Sequence, residues 1–86
     1  MEISEIKKLV LGEIKKVKPT MPDFFPHEDN LIEEWGFQSI DMAELVARAE
    51  QTFQIEIPDS IWKELNCVNT LSDYIHFHQN STLQTD

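Results

Sequence analysis

Apolar residues at the start of the chain recur at helical spacing. Ile3, Ile6, Leu9, Val10, Ile14 and Val17 fall at three- and four-residue steps and form one stripe along a first helix. Glu2 and Glu5 near its start, and Lys15, Lys16 and Lys18 near its end, suit the helix dipole. Pro19 then stops it. The lysines read as a solvated face and take no binding role. From 19 to 38 the periodicity is lost: Pro19, Pro22, Pro26 and Gly36 punctuate the segment, with Phe24, Phe25, Leu31, Ile32 and Trp35 between them. This predicts a long loop pinned to the core by its apolar residues, and loops of that length inside a small domain tend to be functional.

Helical spacing resumes at Ser39 or Ile40 and runs to about Phe53, with Leu45, Val46, Ala49 and Phe53 as the core stripe. Asp41 and Glu44 sit in the first turn, where negative charge is favoured. Ile55 and Ile57 bracket Glu56 with strand-like alternation, but Pro58 and the lack of a partner strand favour an extended connection. Asp59 or Ser60 is placed to cap a short helix through about Leu65. Thr70-Leu71-Ser72-Asp73 approximates a capping box and opens a last helix whose apolar face is Leu71, Tyr74 and Ile75, with His78 at its edge. No repeat or low-complexity tract is present. The pattern predicts an all-α fold: a small four-helix bundle, three main helices plus one short helix, with a long loop between the first and second. The domain is expected over residues 1–79, and the polar residues 80–86 as a flexible tail.

Composition narrows what such a bundle does. With 86 residues there is one small core, and the single cysteine, Cys67, excludes an internal disulfide. An unpaired cysteine fits a reducing compartment. There is no apolar run of membrane-spanning length and no signal-peptide layout. We therefore expect a cytoplasmic, monomeric protein, complete from Met1, with no membrane partner.

The net charge of −9 is unevenly spread. Residues 1–18 are slightly basic, whereas residues 28–64 hold ten acids against only Arg48 and Lys63. Such a surface repels phosphate backbones, which argues against nucleic-acid partners. It attracts proteins with basic patches and speeds their encounter. The plainer alternative is that acidity only keeps a small protein in solution.

Ser39 is the candidate chemical site. It follows a glycine-containing turn and opens the second helix, so its hydroxyl should be exposed. The unpaired N–H groups and positive dipole end there favour a phosphate. By position alone Ser39 is more simply an N-cap. Other chemistry finds little support. His76 and His78 point to different faces of a helix and, with His27 and Cys67, make no metal-ligand spacing. Cys67 reads as a core residue. Asp41 stands where a hydrolase Gly-x-Ser-x-Gly elbow would need its last glycine. There is no calcium-loop pattern, and Asn80-Ser81-Thr82 has no secretory signal to make it a glycosylation acceptor.

The residues around Ser39 raise its standing. The segment Trp35-Gly36-Phe37-Gln38-Ser39-Ile40-Asp41-Met42-Ala43-Glu44-Leu45 resembles the attachment segment of the acyl carrier protein family. There a glycine precedes the modified serine by three positions, and an aliphatic residue, an acid and a Glu-Leu pair follow it. The resemblance continues through Phe53, Ile57-Pro58-Asp59, Val68 and Asp73-Tyr74-Ile75, covering roughly 28–78, with the first helix matched by pattern only.

The resemblance implies a protein that is not an enzyme. Ser39 would receive 4′-phosphopantetheine from coenzyme A through a Mg²⁺-dependent phosphopantetheinyl transferase. The arm's thiol would hold acyl or polyketide intermediates as thioesters. Ketosynthase, acyltransferase or acyl-activating enzymes with basic docking patches would then meet a face made of Ile40, Asp41, Ala43, Glu44, Ala47 and Glu50. Helical spacing independently places residues 40, 43, 44 and 47 on one side. Positions that shelter acyl chains in the family match Leu45, Ala49, Ile57, Trp62, Leu65, Leu71 and Tyr74. They read here chiefly as core, with the bulk of Trp62 closing any pocket. Gln38 stands in place of the usual acid before the serine, Trp35 in place of leucine, and Ala43 and Ala47 are small. These departures point to a specialised pathway such as polyketide biosynthesis. A peptidyl or aryl carrier, and an unmodified acidic docking subunit of the same fold, are the alternatives. The Asp41–Glu44 pair favours the acyl type.

Overall fold

The computed structural model describes residues 1–85, with side chains through Gln79. The first stripe folds as a helix as the spacing predicts, but Leu9, at its edge, is exposed. Helix α1 (Ile3–Val17) buries Ile6, Val10 and Ile14, and its one polar buried member is Glu13. The chain then turns at Lys18, whose N–H donates to the Ile14 carbonyl at 2.9 Å. The Lys15 ammonium donates to the Met21 carbonyl and pairs with Asp23 at 3.2 Å. That holds the loop against α1 while Met21 enters the core.

The long loop contains a helix that the spacing did not predict, α2 (Leu31–Trp35). Five residues are too few to establish a period, so its signals are its ends. The Asn30 side-chain oxygen accepts from the N–H groups of Ile32 and Glu33 at 2.9 and 3.1 Å. Gly36 closes it in the left-handed region at φ 72°. Leu31 is fully buried and its N–H donates to the Asn66 carbonyl at 2.8 Å, while Asn69 N–H donates to the His27 carbonyl at 3.2 Å. The loop is thus fastened to a distant part of the chain. Within it the Phe25 ring meets Trp35 edge-on at 5.6 Å, and the Trp35 indole donates to Asp29 at 3.1 Å.

Helix α3 (Ser39–Phe53) buries Met42, Leu45, Val46, Ala49 and Phe53. It ends on Gln54, the non-glycine residue with positive φ, at 57°. Residues 55–58 connect without regular structure, with Pro58 extended, and no strand occurs among the described residues. A 3₁₀ helix follows over Asp59–Glu64, with Pro58 and not Asp59 or Ser60 in its N-cap position. The last helix, α4 (Val68–Thr85), begins ahead of the expected box. Thr70 lies inside its first turn, donating to the Cys67 carbonyl at 3.2 Å, which also accepts from Leu71 N–H at 3.1 Å. Burial of Cys67 and Val68 moves the start, because an apolar pair sheltered by the bundle needs its backbone groups paired as well.

The α4 backbone continues to Thr85; the tail expected from residue 80 falls on side chains that, with all of Asp86, lie outside the described residues. α1 packs against α3 and α4 around a core that includes Val10, Leu31, Leu45, Leu71 and Ile75. Among the described residues the result is the expected helical bundle of three long helices, with two short ones instead of one.

Candidate functional site at the start of helix α3

Two buried residues, Phe37 and Met42, fix the backbone on either side of Ser39. Phe37 N–H donates to the Leu31 carbonyl at 3.0 Å, and the Lys18 ammonium stands 5.7 Å from the centre of its ring. Gly36 in the left-handed region turns the chain from α2 into α3. Gln38, extended at φ −96° and ψ 171°, is the N-cap, so Ser39 is the first helical residue and not the cap itself. The first turn closes with Met42 N–H on the Gln38 carbonyl at 3.0 Å, and the Asp41 carboxylate accepts from Gln38 N–H at 2.9 Å.

This leaves the Ser39 side chain exposed at the start of the helix. Among the described hydrogen bonds its hydroxyl has no partner, and the N–H groups of Ser39 and Ile40 have no acceptor. Unpaired donors at the positive end of a fifteen-residue helix suit a phosphodiester on that oxygen. The residues present therefore fit a phosphopantetheine group, and the neighbouring Gln38 adds no opposing charge.

The rest of α3 sorts by face. Ile40 is 73% exposed, Glu44 and Ala47 are exposed, and Asp41, Ala43 and Glu50 are partly so. The structure brings all six expected face residues onto the outer side or flanks of one helix, but every acid among them already has a partner within the chain. Asp41 caps Gln38 N–H. The Glu44 carboxylate accepts from Arg48 Nε at 3.1 Å. Glu50 turns to the Ile55–Pro58 connection and accepts from Ile57 N–H at 2.9 Å. Sequence reasoning missed Arg48, although its i,i+4 spacing from Glu44 was a usable signal. It also missed Glu13, which meets Lys16 at 3.3 Å at i,i+3 spacing and Arg48 of α3 at 3.6 Å, a contact that no local spacing marks.

The positions matched to acyl sheltering are core. Leu45, Ala49, Ile57, Leu65 and Leu71 are buried, Trp62 packs against them, and its indole donates to the Ile57 carbonyl at 3.4 Å. The Tyr74 hydroxyl donates to the Glu56 carbonyl at 3.3 Å. Burial, and secondarily Glu50, push that hydroxyl above its ordinary 10.0. Two open grooves flank Tyr74. One, about 590 Å³, runs between Glu50, Glu56 and His78; the other, about 450 Å³, lies between Ile61, Leu65 and Asp73. The second reaches the buried Leu65, but neither is lined by Leu45, Ala49 or Leu71.

His78 stacks on Tyr74 with ring centres 4.0 Å apart, and Cys67 is buried. Among the described residues no cluster of three His, Cys, Asp or Glu side chains could hold a metal ion, and no helix is long and apolar enough to cross a membrane.

Comparison with known proteins places this geometry in context. A family model described as "Phosphopantetheine attachment site" matches residues 8–75. The match runs from within α1 to the first half of α4 and includes the α2–α3 turn. A relative named "Acyl carrier protein", from Campylobacter fetus subsp. fetus (strain 82-40), is 34% identical over 71 residues, which are 83% of this chain and 87% of the relative. The match therefore reaches α1, which sequence reasoning had joined to the family by pattern alone. The chain belongs to the acyl carrier protein family, whose cofactor is 4′-phosphopantetheine.

Proposed function

We propose that Ser39 is the attachment point and that the protein is a carrier, not a catalyst. Supporting this is one observation above the others: an exposed serine hydroxyl at the first position of α3, on a turn held by Phe37, Gly36 and Asp41, inside the matched region. In the loading step the Ser39 oxygen forms a bond to the phosphorus that carries pantetheine. The bond from that phosphorus to the 3′,5′-ADP part of coenzyme A breaks, and the serine proton is released. A phosphopantetheinyl transferase supplies Mg²⁺ and the base. The chain's own residues present the oxygen, exclude alternative backbone positions for it, and place unpaired N–H groups beside the new phosphodiester.

The loaded thiol then holds acyl intermediates as thioesters for ketosynthases, acyltransferases or acyl-activating enzymes with basic patches. The face they meet is Ile40, Asp41, Ala43, Glu44 and Ala47, with Glu50 at its edge. Tethering replaces free diffusion with a high effective concentration. Gln38 beside the serine, and the flat surface of Ala43 and Ala47, favour a specialised cytoplasmic pathway of polyketide type over general fatty-acid synthesis.

The test is intact-mass measurement after incubation with coenzyme A, Mg²⁺ and a broad-specificity transferase. One phosphopantetheine is expected to add to the wild-type chain and none to Ser39→Ala. An unmodified wild type, or a modified Ser39→Ala, sinks the assignment.

A further inference from the structure

Arg48 is the one cation of α3, and it is held from two sides. Its Nε reaches Glu44 at 3.1 Å on its own helix, and another guanidinium nitrogen reaches Glu13 of α1 at 3.6 Å. The Glu13 side chain is only 11% exposed, whereas those of Arg48 and Glu44 are 38% and 47% exposed. Glu13, which Lys16 of its own helix also meets at 3.3 Å, draws the guanidinium toward α1, and breaking either contact of a buried carboxylate is unfavourable. Successive α-helical residues lie about 100° apart, which puts Arg48 beside Asp41 and Glu44 at the flank nearest α1. The positive charge therefore stands at the margin of the face proposed to meet partner enzymes, and it masks that face's most exposed acid.

We propose that Arg48, positioned by Glu13, is a specificity determinant of the carrier's docking face. It disfavours partners whose patch is uniformly basic and favours those that set a carboxylate opposite Arg48 among their basic groups. This inference rests on the carrier reading above. A guanidinium on a mobile side chain moves aside for any partner; this one gives up contacts to two carboxylates, one of them buried, when it does so, although Glu13 keeps Lys16 at 3.3 Å.

The experiment is steady-state loading of the full chain, followed by mass spectrometry, with coenzyme A, Mg²⁺ and a transferase whose docking patch carries only basic residues. Arg48→Gln is expected to lower KM for the carrier about two- to fivefold at low salt, with kcat unchanged, as an exposed charge interaction should. The difference should shrink as salt screens it. Glu13→Gln with Arg48→Gln removes the cation while keeping the net charge of −9 and leaves no buried carboxylate without its partner. The same fall in KM is expected, and Arg48→Lys should restore the wild-type value. An unchanged or raised KM in the folded double variant, whatever happens to its melting temperature, overturns the proposal and leaves Arg48 a structural clamp. Failure to load the wild type overturns the carrier reading and this inference with it, an outcome distinct from normal loading that ignores Arg48.

Discussion

Asp41 serves two purposes at once. Its carboxylate caps Gln38 N–H at 2.9 Å and puts a negative charge in the first turn beside Ser39. Asp41→Ala should cost about 1 kcal/mol of stability through loss of that cap. Asp41→Asn, which keeps an acceptor oxygen, should recover part of it without the charge. Urea denaturation of the three proteins checks this, and equal midpoints would remove the cap from the account. The acid in the first turn was legible in the sequence, because charge preference near a helix start is local. That Gln38 and not Ser39 takes the cap was not legible. Serine has the stronger capping preference, and here the buried Phe37 and the Gly36 turn decide where the helix begins.

At the scale of elements, the short helix α2 works as a fastener that delivers the chain to α3. Its two ends carry it: the Asn30 cap and Gly36 at φ 72°. A Cβ added at Gly36 would meet nothing within 4 Å, so Gly36→Ala tests backbone conformation alone. The expected loss is about 1 kcal/mol, the cost of holding an L-residue left-handed. It should appear as a lower urea midpoint with an unchanged slope. A wild-type midpoint would mean that the turn relaxes without cost. The three long helices were legible from their stripes, whereas α2 and the true start of α4 were not. Five residues cannot display a period, and Thr70 looked like a cap only until Cys67 and Val68 were seen to be buried.

At the scale of the whole molecule, charge opposes compactness. The ion pairs among the described residues use Lys15, Lys16 and Arg48, and most acids of the middle segment have no cation within reach. With a net charge of −9, self-repulsion should outweigh these few pairs. The melting temperature is therefore expected to rise as sodium chloride passes about 0.1 M, where the screening length is about 10 Å. A falling melting temperature would show that the pairs dominate.

The three amphipathic stripes, the acidity of the middle segment and the candidacy of Ser39 are legible before any folding is known. Each is written in neighbours within a turn or two, or in an ordered motif. Tertiary structure alone decided that Leu31 N–H meets Asn66, that Glu13 on the core stripe of α1 anchors Arg48 on α3, and that Glu50 turns inward to Ile57. Those contacts join groups that only packing brings together, and they set how much of the face around Ser39 is still free to meet a partner.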